Sequence, residues 1–198
     1  MSTGPARATF YYDLGSPYAY LAAERMTRLL PEPPLWQPVL LGALMKRSGT
    51  TSWALGASRS AGIAEVERRA AAYGLPPVAW PEPWPGNYLF AMRVATYAQQ
   101  SARAEAFALA AFRAAFVDGR DLTEPANVLR AAAACRLDCN DARNAAESAA
   151  MKQALREATE RAAEVGVHGV PTVVIDRILF FGDDRLEEAA ACMRGYPR

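Results

Sequence analysis

The chain has 198 residues, of which 52% are hydrophobic, and its 22 basic residues nearly balance its 21 acidic ones. This length allows one domain with a well-buried core, with or without an insertion. The net charge of +1 provides no basic field of the kind that binds nucleic acid or an anionic membrane surface. We therefore predict no nucleic-acid and no membrane partner, which leaves small molecules and other proteins.

Targeting and redox signals favour a soluble cytoplasmic protein. Residues 1–7 are mostly polar and precede no apolar run of signal-peptide kind, and no stretch is apolar enough to cross a bilayer. The three cysteines, Cys135, Cys139 and Cys192, are odd in number and lack a Cys-x-x-Cys pair, which suits a reducing compartment. Cys135 and Cys139 are interpreted as core or boundary residues, because a metal site would need further ligands and the only histidine is distant in sequence.

The N-terminal region predicts a strand, a turn and a helix. Residues 8–12 are apolar and aromatic, Asp-Leu-Gly follows, and Ser16-Pro17 opens a helical pattern that reaches about Leu30. Proline suits the first position of a helix, so Ser16 is the natural N-cap. Because unpaired N–H groups and the positive end of the dipole lie there, an anion is favoured beside Ser16. A plain helix cap is the alternative.

The middle of the chain predicts a helical insertion. Prolines at residues 31–34 end the first helix, and residues 35–41 form a second strand in which Pro38 suits an edge or a strand end. Helix-periodic, alanine-rich sequence then runs to about residue 164, interrupted by an extended proline-rich segment at residues 75–85. Helices are predicted over residues 63–74, 87–100, 105–117, 124–135 and 141–165. Because about 120 residues are too many for a simple crossover, residues 42–164 are predicted to be a helical subdomain inserted into a domain made of residues 1–41 and 165–198.

The C-terminal region predicts two strands, at residues 172–176 and 178–181, followed by a helix at residues 184–194. Pro171 directly precedes the first of these strands, and X-Pro is the bond that readily becomes cis. Asp183 and Asp184 lie where carboxylates stabilise a helix N-terminus, so capping alone explains them. The N-terminal strand, turn and helix form one half of a thioredoxin-type site. The Val-Pro-Thr segment and the strand after it form the other half.

Four segments, at residues 12–18, 38–44, 166–172 and 181–186, together resemble the 2-hydroxychromene-2-carboxylate isomerase family, which is related to kappa-class glutathione transferases and DsbA-type oxidoreductases. The resemblance implies an α/β, thioredoxin-like fold with a large all-helical insertion between the second and third strands. It also implies glutathione as cofactor, a small aromatic carboxylate as substrate, and a homodimer.

Particular residues acquire roles through this resemblance. Ser16 would stabilise the glutathione sulfur, the backbone of Val170 before cis-Pro171 would pair with its peptide, and Asp183 and Asp184 would hold its γ-glutamyl end. Gly182 is also assigned to the glutathione site. On the substrate side the resemblance assigns Lys46 to the substrate carboxylate. Asn87 is a candidate substrate-side polar group, and Tyr18, Trp84 and Tyr88 are candidates for an aromatic wall. The alternatives are a solvated Lys46, an Asn87 that caps a helix, and aromatic side chains that only pack. His168 is interpreted as a packing or backbone-bonding residue.

Chemistry at the Ser16 position excludes dithiol exchange. Thioredoxin-type redox enzymes have a cysteine there and another three residues later, whereas this chain has Ser16-Pro17-Tyr18-Ala19. A helix dipole supplies up to about 2 kcal/mol and a hydrogen bond to a charged group roughly 1.5–3 kcal/mol, enough to ionise a bound thiol near neutral pH. We predict a glutathione-dependent isomerase. The alternatives are a transferase or peroxidase of kappa type and a non-catalytic thioredoxin-fold binding module.

Overall fold

The sheet of this protein brings the two ends of the chain together. The computed structural model describes residues 8–195, and within them one sheet contains β1 (Thr9–Tyr12), β2 (Leu35–Pro38), β3 (Thr172–Ile175) and β4 (Ile178–Phe181) in the order β2-β1-β3-β4. The central strand β1 is parallel to β2 and antiparallel to β3, and β3 is antiparallel to β4. Because Tyr11 pairs with Thr172, the end of β1 lies beside the beginning of β3.

Helices connect and cover these strands. Helix α1 (Pro17–Leu29) joins β1 to β2, and α9 (Leu186–Gly195) follows β4. The insertion between β2 and β3 contains α2 (Leu41–Ser48), α3 (Arg59–Ala72), α4 (Leu89–Gln100), α5 (Ala104–Phe116), α6 (Pro125–Ala134), α7 (Cys139–Glu147) and α8 (Ala149–Glu164). This arrangement confirms the thioredoxin-like fold with a helical insertion. Among residues 8–195, every helix is too short or too polar to span a bilayer.

The second strand is shorter than the sequence indicates. It ends at Pro38 instead of Leu41, and Leu41 already begins α2. Proline offers no N–H to continue a ladder, and β2 is an edge strand of the sheet. The expectation that Pro38 suits an edge or a strand end is therefore correct, and only the strand's length is wrong.

The single helix predicted over residues 141–165 is two helices. Ser148 ends α7 and caps α8, with extended backbone (φ −65°, ψ 147°) and its Oγ accepting a hydrogen bond from the Met151 N–H at 3.1 Å. Serine is compatible with two positions: at a helix start, where its hydroxyl accepts a hydrogen bond from an unpaired N–H, and in a helix interior. Periodicity alone does not separate these two cases.

Aromatic side chains of β1 join the sheet to the insertion. Phe10 and Tyr12 are fully buried; the Phe10 ring lies 4.9 Å from that of Trp36, and the Tyr12 ring lies 6.0 Å from that of Phe112 in α5. The core therefore continues from the strands into the helices. The division of the chain at residues 41/42 and 164/165 stays a prediction.

Candidate active site

The turn between β1 and α1 is built around the Asp13 carboxylate. Its Oδ1 accepts a hydrogen bond from the Gly15 N–H at 2.9 Å, and its Oδ2 accepts one from the Leu41 N–H at 2.8 Å. The Ser16 N–H donates to the Asp13 carbonyl at 3.0 Å. One buried side chain thus fixes the turn before Ser16 and attaches it to the start of α2.

Ser16 caps α1 and also lines a large cavity. Its backbone is extended (φ −94°, ψ 114°), its Oγ accepts from the Ala19 N–H at 3.2 Å, and Pro17 occupies the first turn of the helix. The residue is only 4% exposed, yet it borders the cavity. Because a hydroxyl has one donor and two acceptor positions, accepting from Ala19 leaves the Ser16 O–H able to donate to a ligand.

The loop before β3 presents a free peptide edge to the same cavity. The Val170–Pro171 bond is cis, the Thr172 hydroxyl donates to the Gly169 carbonyl at 2.8 Å, and the Pro171 carbonyl accepts from the Gly182 N–H at 3.0 Å. Within residues 8–195 the Val170 N–H and carbonyl make no hydrogen bond. Val170 lines the cavity, so an extended peptide could pair with this backbone.

The cavity has a volume of about 620 Å³ and mainly apolar walls. The Trp53 ring lies 5.9 Å from that of Tyr18 and 5.4 Å from that of Trp84, forming one aromatic wall. The Trp84 indole N–H donates to the Gly15 carbonyl at 3.1 Å, which attaches the proline-rich segment to the Ser16 turn. A cavity of this size and lining suits a flat aromatic ligand.

Tyr88 packs directly on the Ser16 turn. A Cβ at Gly15 would lie 2.6 Å from the Tyr88 Cδ2, so only glycine allows this approach. The buried Tyr88 hydroxyl has no hydrogen-bond partner among the described residues, and burial raises the pKa of this phenol. Tyr88 therefore keeps a protonated hydroxyl next to the cavity.

Charge in the cavity wall is sparse. Asp13 and His168 are the two lining residues, within the described chain, that have an acidic or a basic side chain. Burial raises the pKa of the Asp13 carboxyl above its usual 3.8, although the hydrogen bonds from Gly15 and Leu41 act in the opposite direction. His168 is exposed, and its ring lies 4.8 Å from the Phe181 ring.

Asp183 and Asp184 lie outside the cavity lining. The Asp183 side chain is 1% exposed; its Oδ1 accepts from Arg69 at 2.9 Å and its Oδ2 accepts from the Tyr73 hydroxyl at 2.8 Å. Asp184 is half-exposed at 56% and its carboxylate lies 3.3 Å from Arg69. Intramolecular partners thus occupy Asp183, whereas Asp184 retains a solvent-facing carboxylate.

Some of the other assigned residues line the cavity and others do not. Tyr18 and Asn87 line the cavity, and the Asn87 side chain also accepts from the Leu89 N–H at 3.1 Å, as a helix cap does. Lys46 is exposed on α2 and does not line the cavity, although its neighbour Met45 does. Gly182 and Pro171 support the loop without lining it.

The described part of the chain places its cysteines outside the cavity and contains no candidate metal site. Cys135, Cys139 and Cys192 are free thiols outside the cavity lining, and burial raises the pKa of Cys135. Residues 8–195 contain no cluster of histidine, cysteine or carboxylate side chains able to hold a metal ion.

The structure adds site residues that the sequence did not single out. Asp13, Trp53 and Met92 all line the cavity, and the Met92 sulfur accepts from the Leu14 N–H at 3.2 Å. Asp13 had a signal in its position three residues before Ser16. Trp53 and Met92 had none, because their place depends on how the insertion packs over the turn.

Comparison with known proteins places the fold. Residues 8–193 match the DSBA-like thioredoxin domain family, and the chain belongs to this family. Its structure is similar to that of 2-hydroxychromene-2-carboxylate isomerase, with a TM-score of 0.84, 24% identity and 94% of each chain covered. No curated protein matched the sequence significantly.

Structures of DsbA type are also similar. A probable DsbA oxidoreductase from Streptomyces coelicolor has a TM-score of 0.73 and 21% identity, with 98% of this chain and 92% of that one covered. DsbA from Pseudomonas aeruginosa has a TM-score of 0.55 and 14% identity over 98% and 85% of the two chains. At these identities the likeness establishes the fold, which is the DsbA-like relation that the motifs predicted.

Proposed function

We propose that this protein is a glutathione-dependent isomerase that acts on 2-hydroxychromene-2-carboxylate or a similar bicyclic intermediate of aromatic catabolism. The observation that carries this proposal is the Ser16 hydroxyl at the start of α1, which borders an aromatic cavity together with the unpaired Val170 peptide groups. No cysteine lines this cavity within residues 8–195, so the chain offers a hydroxyl where a redox enzyme offers a thiol. The similarity to the isomerase structure supports the same choice.

The residues present offer a partner to the sulfur, the cysteinyl peptide and the ammonium group of glutathione. Ser16 suits the sulfur, and the Val170 N–H and carbonyl suit the extended peptide. For the γ-glutamyl ammonium group Asp184 is the better candidate, because both Asp183 oxygens already accept hydrogen bonds from Arg69 and Tyr73. Gly182 holds the Pro171 carbonyl and so keeps this loop in place.

The chain's own groups would lower the proton affinity of a bound thiol. When bound, glutathione supplies a thiolate that adds reversibly to an unsaturated carbon of the substrate and is released unchanged. Ser16 donates its O–H to this sulfur, and the α1 N-terminus adds its dipole. Each 1.4 kcal/mol of such stabilisation lowers a pKa by about one unit. The aromatic wall of Tyr18, Trp53 and Trp84 holds a flat substrate against the sulfur position and excludes water.

Ser16→Ala tests the proposal, with Ser148→Ala as matched control. Both serines cap a helix through their Oγ, but Ser148 does not line the cavity. We expect each variant to lose about 0.5–2 kcal/mol of stability, and only Ser16→Ala to lose the ultraviolet absorbance of bound thiolate and the isomerisation at catalytic glutathione. An unchanged thiolate signal in Ser16→Ala would contradict the mechanism.

The same assays separate the alternatives. Stoichiometric consumption of glutathione with an electrophile, without isomerisation, would instead indicate a transferase. A chain that binds no glutathione in calorimetry would indicate a non-catalytic binding module.

A further inference from the structure

His168 is the one side chain in the described cavity lining that can carry a positive charge. No lysine or arginine belongs to that lining. Two arginines lie against the aromatic wall from outside the lining. Arg59 donates to the Trp84 carbonyl at 2.8 Å, 5.6 Å from that ring, and Arg69 is paired with Asp183 at 2.9 Å. Among the lining residues themselves, an anionic ligand therefore has a single candidate cation.

The His168 ring is held so that one nitrogen stays free. Its Nδ1 lies 3.3 Å from the Gly166 carbonyl oxygen, and a carbonyl only accepts, so Nδ1 carries the proton in this contact. The ring packs on that of Phe181 at 4.8 Å, and a Cβ at Gly169 would lie 2.8 Å from the Phe181 ring, so only glycine allows this packing. Nε2 has no partner within residues 8–195 and the side chain is exposed.

The second ionisable side chain of the lining acts in the opposite sense. Asp13 is 7% exposed and accepts from Gly15 and Leu41. A carboxylate near Asp13 would meet a like charge in a poorly solvated region. An aromatic carboxylate therefore gains by directing its charged group away from Asp13 and towards His168.

We propose that His168, in its imidazolium form, binds the carboxylate of the aromatic substrate through Nε2. This assigns to His168 the role that the family resemblance gives to Lys46, which is exposed and outside the lining. That the ligand is an aromatic carboxylate rests on the proposed function. The claim about His168 concerns charge selection in the cavity and requires no glutathione.

Binding of 2-naphthoate and its neutral analogue 2-naphthamide tests the proposal at about pH 6. Affinity is measured by quenching of tryptophan fluorescence, because Trp53 and Trp84 line the cavity. We expect His168→Gln to bind the carboxylate roughly fivefold more weakly, the size of an exposed ion pair, and the amide equally well. Arg47→Gln, which removes an exposed charge from α2 without touching the lining, should change neither affinity.

Proton NMR of the unmodified protein gives a second readout. The chain contains one histidine, so a single imidazole C2 proton reports on it. We expect this signal to move in the direction of protonation when 2-naphthoate is added and to stay in place with 2-naphthamide.

Three results would overturn the proposal: equal losses for both ligands in His168→Gln, an unmoved C2 proton at saturation, or loss of the carboxylate preference in Lys46→Gln alone. Failure of the proposed function is distinguishable, because these measurements contain no glutathione. If Ser16→Ala keeps its thiolate signal while His168 still selects the carboxylate, the result contradicts only the glutathione mechanism. If Ser16→Ala abolishes isomerisation while His168→Gln changes nothing, the result contradicts only the role proposed for His168.

Discussion

Asp13 is a buried carboxylate without a cation to neutralise it. It accepts from two backbone N–H groups, of Gly15 and Leu41, and within residues 8–195 it belongs to no salt bridge. Burial nevertheless outweighs these bonds and raises the pKa of its carboxyl. The chain thus retains an electrostatically costly group at the point where it shapes the Ser16 turn, as expected at a functional site.

The pH dependence of stability follows from this raised pKa. The folded chain still holds a proton on Asp13 at a pH where the unfolded chain has lost it, so its contribution favours folding at low pH and is lost as pH rises through the raised pKa. We expect the unfolding free energy of the wild type, minus that of Asp13→Asn, to be larger at about pH 4 than at about pH 7. Urea unfolding at both pH values measures it, and an unchanged or opposite difference would show that the pKa is not raised.

At the level of elements, α1 and α3 are joined to the segment after β4 by a polar cluster, which we call the Asp183 cluster: Asp183, Arg25, Arg69 and Tyr73. Arg25 donates to the Asp183 carbonyl at 2.8 Å, and its guanidinium lies 3.7 Å from the Tyr73 ring centroid. Burial and the Asp183 carboxylate raise the pKa of Tyr73 to about 12. The family resemblance assigns Asp183 to glutathione, whereas its contacts are those of a structural link between helices.

A double-mutant cycle on Arg69 and Asp183 measures this link. We expect Arg69→Gln to destabilise the fold by roughly 3–5 kcal/mol, because it removes the cation beside the buried Asp183 carboxylate. Asp183→Asn should cost less, because Arg69 is partly exposed and keeps Glu65 and Asp184 as partners. We expect a coupling of about 0.5–3 kcal/mol between the two positions. The Arg113–Glu24 pair, at 2.7 Å, in which the Arg113 side chain is exposed, is the control and should couple by less than about 1 kcal/mol. Equal coupling in the two pairs would contradict a structural role for Asp183.

The sequence predicts elements better than it predicts their ends. The strand at residues 178–181 and the helix starting at about Pro17 lie where the patterns place them. The helix at Leu41–Ser48 replaces the end of the predicted second strand, since an apolar run beside a proline is ambiguous between the two. Ser148 was missed for a similar reason, because serine suits both a cap and an exposed helix position.

Site residues are predictable from the sequence where they lie on turns with a distinctive local sequence, and unpredictable where their place depends on packing between distant segments. Ser16 and Val170 lie on turns whose local sequence is distinctive, and the sheet register brings those turns together. Lys46 illustrates the opposite case: a single lysine on an amphipathic helix carries no local signal for the face it occupies, and here that face is solvent. Only the packed structure shows that His168 lines the cavity and Lys46 does not.

Over the whole molecule, the two ends of the chain and the insertion contribute different parts of the site. The strands and α1 supply the Ser16 hydroxyl and the Val170 backbone, while Trp53, Trp84 and Tyr88 of the insertion form the aromatic walls. A shared fold with DsbA-type proteins is therefore compatible with different chemistry. Under the proposed function, the residue at the α1 N-terminus sets the reaction type and the insertion sets the ligand.

A crystal structure of the protein with glutathione tests the central claim most directly. We expect the glutathione sulfur within hydrogen-bonding distance of the Ser16 Oγ and its cysteinyl peptide paired with the Val170 N–H and carbonyl. Glutathione bound with its sulfur away from Ser16, or pairing with another edge of the sheet, would contradict the account.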